Sequence, residues 1–278
     1  MKKIHIYLII ISLLFLSFLS CKQKTIKTVE KHQVERYFLA SDTTKGALKV
    51  DISVEIPVCY DNEAILDSIR KEIIIALFGE KYIKVSNDKI VNKFSNDIYD
   101  DYKETNEPIL ADFDSTMLYT LNNEHVLEGF SLLSDEKIYV YGINRYVYMG
   151  GWHGLEVKNF INFDLTNGRK ITENDLFVKA YAGKLTEIIK SRIVEQSEED
   201  DNIQPISNLE DTDYWVDAIK PNNNFYITDE GINYLFNPYE IGPYSLGQTE
   251  VIIPFYKLKG ILKPNNIISH LIDKQTIK

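Results

Sequence analysis

The sequence predicts an α+β protein, made of antiparallel sheets with amphipathic helices in two intimately packed parts. Alternation of apolar and polar residues marks its strands, and three-to-four-residue apolar spacing marks its helices. The strand-forming stretches follow one another as hairpins and meanders instead of alternating singly with helices, which argues against a parallel sheet. The order strand, helix, meander occurs twice, near residues 48–149 and 150–262, without an internal repeat.

Met1-Lys2-Lys3 gives a short basic start, and an almost wholly apolar run from Ile4 to Ser20 ends at Cys21. That pattern reads as an export signal, residues 1–20, with lipid attachment at Cys21; an uncleaved anchor helix is the alternative. Bulky Phe18-Leu19 before Ser20 departs from the usual bacterial pattern. Residues 21–36, with Lys22, Lys24, Lys27, Lys31 and Arg36, read as a lipid-anchored tether lying near anionic headgroups. The lack of acidic residues directly after Cys21 favours the periplasmic side over the cell surface.

Removing the signal leaves 258 of the 278 residues, enough for a genuine core, divided as 37–149, 150–264 and a tail, 265–278. With Cys21 lipidated, Cys59 would be the sole remaining thiol, expected to be buried and structural. The net charge of −10 falls to −12 without Lys2 and Lys3, which makes nucleic acid an improbable partner because phosphate binding needs a basic surface. Such an acidic chain can attract a cationic protein by long-range steering, although charge also serves solubility alone.

From Leu48 to Val58 apolar side chains alternate strictly with Lys49, Asp51, Ser53 and Glu55, the mark of a half-buried strand. Asp61 or Asn62 can cap a helix carrying Ile65, Ile69, Ile73 and Leu77, with Gly79 past its end. Ile90, Phe94, Ile98 and Tyr102 stripe a second helix, whose Asp97, Asp100 and Asp101 read as a solvated face ended by Pro108. Strands over 126–149 turn at Ser134-Asp135-Glu136, and a strand over 155–165 turns at Asn167-Gly168, a pair suited to positive φ. Thr172 with Asp175 caps a helical start, and Tyr181, Leu185, Ile189 and Ile193 stripe a long helix. Residues 195–213 read as an exposed acidic loop around Pro205. A hairpin about Asp229-Glu230-Gly231, an aromatic loop from Asn237 to Gly247 and a strand over 251–255 complete the order.

Two loops carry the candidate contacts. Gly150-Gly151-Trp152-His153-Gly154 lets backbone approach a ligand closely, yet glycines between strands also serve a sharp turn. His153 has Glu156 nearby but no second histidine or cysteine to complete a zinc set. In the segment 237–247, Pro238 and Pro243 fix φ, Gly242 and Gly247 allow turns, and Tyr239 and Tyr244 present rings with polar tips. That loop is either a contact surface for protein or sugar, or a clasp in which Glu240 accepts hydrogen bonds from the glycine turn. Trp152, His153, Tyr239, Glu240 and Tyr244 are the candidate contact residues; Gly150, Gly151, Gly154, Pro243 and Gly247 shape the loops. No nucleophile elbow, phosphate loop or twelve-residue calcium loop is present, so neither a cofactor nor a metal is expected.

Tyr148-x-Gly150-Gly151-x-His153-Gly154, Asn162-x-Asp164-Leu165-x-x-Gly168-x-x-Ile171 and Asp175-Leu176-Phe177 form a first block. Phe225-x-Ile227-Thr228-x-x-Gly231-Ile232, Tyr239-Glu240-Ile241-x-Pro243-Tyr244-x-x-Gly247 and Val251-x-Ile253-Pro254 form a second. In order and spacing these resemble the extracytoplasmic domain of unknown function 3298, found in lysozyme-sensing anti-sigma factors and beside the catalytic domain of some peptidoglycan deacetylases. A companion domain, 4163, usually precedes it, and residues 48–149 fit that place. The resemblance implies an envelope-facing α+β binding module, in some relatives one that captures lysozyme. Trp152 departs from the small residue expected in the glycine turn. Neither a cytoplasmic sigma-binding segment nor a deacetylase domain after Phe255 is expected, so a signalling or deacetylating role is not carried over.

The expectation is therefore a non-catalytic envelope lipoprotein that binds a lysozyme-like protein or cell-wall glycan. One alternative is a glycan- or peptidoglycan-acting enzyme using His153 and Glu240 as acid and base; another is a structural envelope component.

Overall fold

A computed structural model describes residues 24–26, 29–38, 47–110, 115–199 and 204–276. The expected signal, residues 1–20, and the lipidation residue Cys21 lie outside them. Among the described residues no helix is long and apolar enough to cross a membrane.

The protein is α+β, with two sheets. Six strands pair in sequence order: β1 (Val29–Phe38), β2 (Leu48–Pro57), β3 (Asn123–Ser134), β4 (Ile138–Tyr148), β5 (Leu155–Asp164) and β6 (Arg169–Ile171). A separate antiparallel sheet holds β7 (Phe225–Ile227), β8 (Gly231–Phe236) and β9 (Thr249–Pro254). The larger sheet is mixed: β2 and β3 run parallel, and its other pairs are antiparallel. Helices α1 (Glu63–Phe78) and α2 (Asn87–Leu110) lie between β2 and β3 and return the chain to its starting end, as a parallel neighbour requires.

The expected lysine-rich tether, residues 21–36, overlaps a strand. From Val29 it becomes β1, an edge strand antiparallel to β2, and Ile26 is buried in the core. Asn62 caps α1, its Oδ1 accepting from the Ile65 N–H at 3.3 Å, and Gly79 ends it at φ +97°. Helix α2 outlasts its expected end at Pro108, which costs it one backbone donor near the final turn. Asp97 is not part of a free acidic face: it accepts from the Tyr82 hydroxyl at 2.5 Å and pairs with Lys81 and Lys93. That Tyr82 bond, against some desolvation, holds its carboxyl below the usual range. At the β5–β6 turn only Gly168 takes a positive φ, +74°, while Asp164 accepts from the Gly168 and Thr166 amides.

Cys59 differs from the expected buried thiol, for it is half-buried and disulfide-bonded.

Strand β4 separates two cores. Tyr139, Tyr141 and Ile143 face one core with α1 and β2, whereas Ile138 and Val140 face the other. That second core lies against α3 (Glu173–Leu176), α4 (Ala182–Glu199), α5 (Phe255–Leu258), α6 (Ser269–Thr276) and the small sheet. The period-two alternation of a strand makes this possible. The expected division at residue 149 thus falls between neighbouring strands of one sheet. Residues 265–278, expected as a tail, include α6; Ile268 just before it and Leu271 within it are buried, and His270 reaches Asp135 at 2.6 Å.

Side-chain amides help close the outer edges of β5 and β9. Beyond the short β6, the outer edge of β5 meets asparagines instead of a strand. Asn237 accepts from the Lys158 N–H at 2.8 Å and donates to its carbonyl at 3.0 Å, and Asn224 accepts from the Phe160 N–H at 3.1 Å. Asn162, buried in β5, donates to the Phe225 carbonyl at 2.7 Å and accepts from the Ile227 N–H at 3.0 Å, joining the two sheets. On the outer edge of β9, Gln196 accepts from the Ile252 N–H at 2.8 Å and Arg192 donates to the Ile252 carbonyl at 2.8 Å. A carboxamide offers one donor group and one acceptor, as a peptide does, so each edge is satisfied without admitting another chain.

The segment expected as an acidic loop from residue 195 begins inside α4. Glu195 and Glu199 accept from Arg192 at 2.6 and 3.0 Å, and Lys257 donates to Glu195 at 2.8 Å.

Candidate aromatic contact site

At the end of the larger sheet where β4 leaves for β5, Gly150 and Gly151 both take positive φ, +81° and +92°. A Cβ on Gly150 would lie 2.9 Å from the Thr120 carbonyl, and one on Gly154 would meet the Tyr146 ring at 2.4 Å. Glycine is thus required by both backbone sign and space. Between these glycines Trp152 projects with full exposure.

The loop 237–247 rises beside it, rooted by Asn237 on β5. Pro243 precedes a single 3-10 turn over Tyr244–Leu246, and Gly247 closes it at φ +71°. The Tyr244 ring stacks on His153 with centroids 3.7 Å apart and planes 14° from parallel, and Tyr239 follows 5.7 Å further on. Tyr244 also donates its hydroxyl hydrogen to the Gly154 carbonyl at 2.9 Å. His153 Nδ1 lies 3.0 Å from that carbonyl, which can only accept, so geometry assigns the proton to Nδ1.

The clasp between the two loops is therefore Tyr244, where the sequence pointed to Glu240. Glu240 instead accepts from Asn222 at 2.8 Å and Asn237 at 3.3 Å, engaged by the amides that hold its own loop. An acid–base pair must share a hydrogen bond or a common substrate position. Here the imidazole is turned to Gly154 and Tyr244, and the carboxylate to two asparagines, so the geometry gives the pair no shared contact.

Tyr239 takes φ +72°, a left-handed conformation that costs a non-glycine residue about 1 kcal/mol or more. Its ring is about half exposed, so the strain holds an aromatic face outward. Tyr239→Gly should leave stability unchanged or raise it by about 1 kcal/mol in urea denaturation, because it relieves the strain and gives up little packing. A loss above 2 kcal/mol would show instead that the ring supports the fold.

Beside Trp152 and His153 opens a cavity of about 400 Å³, lined also by Lys49, Asn123, Glu124, Tyr146 and Tyr148. Lys49 and Glu124 pair at 2.9 Å because the parallel register sets them opposite each other. Sequence reading missed both residues, since it placed Lys49 on a solvent face and did not bring β2 beside β3. Two other cavities, about 630 Å³ by Gln196 and Tyr214 and about 470 Å³ by Arg169 and Lys263, involve none of the candidate residues. Among the described residues no group of histidine, cysteine, aspartate and glutamate is arranged to hold a metal.

Comparison with known proteins follows the same outline. Residues 174–256 match the family model described as "Protein of unknown function (DUF3298)"; that span contains the 237–247 loop and stops short of Trp152. No curated protein matches the chain. A crystal structure of a DUF3298 family member from Bacteroides fragilis is similar at 27% identity and TM-score 0.77, covering 89% of this chain and 98% of that one. A DUF3298 family protein from Pseudomonas aeruginosa, at 16% identity and TM-score 0.52, covers 86% of this chain and 97% of that one, a likeness of fold alone. Residues 174–256 thus match the DUF3298 model, within a fold similar to those of two solved DUF3298 proteins.

Proposed function

We propose that this chain is an envelope lipoprotein acting as a non-catalytic binding module, with the face of Trp152, His153, Tyr244 and Tyr239 as its contact surface. The observation that carries the reading is a fully exposed indole beside a rigid stacked pair. Large exposed aromatics on clasped loops are the anchors that binding surfaces use, because they bring area with little side-chain entropy to lose. Residues 37–149 are read as the companion 4163 domain, which contributes Lys49, Glu124, Tyr146 and Tyr148 to the same face. The partner classes are a lysozyme-like cationic protein, which the acidic net charge would steer, and cell-wall glycan, which exposed aromatic rings can stack against. Pairing of Glu195 and Glu199 with Arg192 and of Glu195 with Lys257 weakens the local field on the smaller lobe.

Two experiments test this. A photoreactive amino acid at exposed Leu155, beside the shelf, should capture an envelope component in cells, whereas the same probe at exposed Tyr256 should not. Equal capture at both positions, or at neither, would remove the contact surface. For the anchor, Cys21 acylation and a disulfide at Cys59 are alternatives in a chain with two cysteines. The protein isolated from membranes should carry palmitate label; an unlabelled protein would overturn the lipoprotein reading.

A further inference from the structure

We infer that the occupant of the Trp152 shelf is a carbohydrate, specifically a linear chain of gluco-configured pyranose rings, neutral or N-acetylated. The inference rests on the contact-surface reading above and deepens it. Such a ring has an apolar C–H face and a rim of equatorial hydroxyl groups, so its recognition needs a fixed aromatic plane beside hydrogen-bonding groups.

The site supplies both. His153 is held flat by Tyr244, which is itself fixed by its bond to the Gly154 carbonyl, and the row continues to Tyr239. Trp152 stands free at the cavity mouth. At the base are Asn123, Glu124 and Tyr148. Glu124 spends one oxygen on Lys49, and a carboxylate with about four lone-pair sites keeps acceptor capacity after that bond.

Charge and size favour sugar over a cationic protein at this face. The lining acid, Glu124, is paired with Lys49, so the lining itself offers no unpaired carboxylate to a cationic side chain. A volume of about 400 Å³ lies at the small end of ligand pockets and suits about two sugar rings.

The test is calorimetric titration of the full chain in detergent with N-acetylglucosamine hexamer and with cellohexaose. At least one should bind, and Trp152→Ala and His153→Ala should each weaken it by roughly tenfold, the loss expected for one aromatic contact. Trp152 is fully exposed, so its replacement leaves the fold intact, and Tyr256→Ala on the other lobe should leave binding unchanged. Binding that survives both shelf variants, or no binding of either oligomer, overturns the inference. If neither oligomer binds while the Leu155 probe captures a protein, the sugar assignment fails and the contact surface stands.

Discussion

Replacing Arg192 with alanine is expected to destabilise the protein by about 4 kcal/mol, lowering the thermal midpoint by about 10 °C. The guanidinium is only 5% exposed and joins three things: the Ile252 carbonyl on the edge of β9, Glu195 and Glu199. Its removal leaves a carbonyl without a donor and strips both carboxylates of a shared cation. The pH dependence supplies a second signature. Burial alone would raise the Glu195 pKa, but hydrogen bonds from Lys257, Arg192 and Ser191 outweigh it and bring it down from 4.5 to about 2. A depressed carboxylate contributes stability that is fully present above its unfolded pKa and is lost as pH falls through the folded one. The native protein should therefore lose stability as pH falls from about 5 to about 2, and Arg192→Ala should flatten that slope. A variant within 1 kcal/mol of the parent at pH 7 would show that the cluster is peripheral.

Asn162→Leu should cost about as much, near 4 kcal/mol, although it keeps the side-chain volume. It leaves the Phe225 carbonyl and the Ile227 N–H buried without partners, at about 1–3 kcal/mol each. Asn162→Asp separates hydrogen bonding from packing. It retains an acceptor for Ile227 but sets a carboxylate against the Phe225 carbonyl, so it should be destabilised at neutral pH and partly restored on acidification, when the carboxyl can donate. Chemical denaturation reports the first effect. Faster hydrogen exchange at the Ile227 amide reports the second. An unchanged exchange rate would mean that the two sheets are held together without Asn162.

The fold was legible wherever a local rule is strong. Strict alternation marked β2, the spacing of Ile69, Ile73 and Leu77 marked α1 behind its Asn62 cap, and Thr172 with Asp175 marked the start of α3. What remained hidden was set by distant contacts. The parallel pairing of β2 with β3 depends on where two helices deliver the chain. The burial of α6 depends on a second core, and the charged β1 is a strand because β2 offers an edge to it. The same limit applies to the candidate site. Sequence reading named Trp152, His153, Tyr239 and Tyr244, and the structure brings His153, Tyr244 and Tyr239 into one row beside Trp152. It missed Lys49 and Glu124, which meet across 75 residues through sheet register. Its alternative of a clasp through Glu240 named an acceptor, while the structure uses a donor to a carbonyl, the Tyr244 hydroxyl.

Strand β4 has one side of its residues in each core, and this bears on how such proteins can be cut apart and recombined. The stretch that matches the DUF3298 model, 174–256, omits Ile138, Val140 and Ile171, which are part of the wall its own apolar residues pack against. Excised, it would present a raw greasy surface where β4 had been, together with the amides that now meet β5. The heritable module is therefore longer than the recognisable motif. A fragment meant to keep this core closed must bring the β3–β4–β5 meander with it.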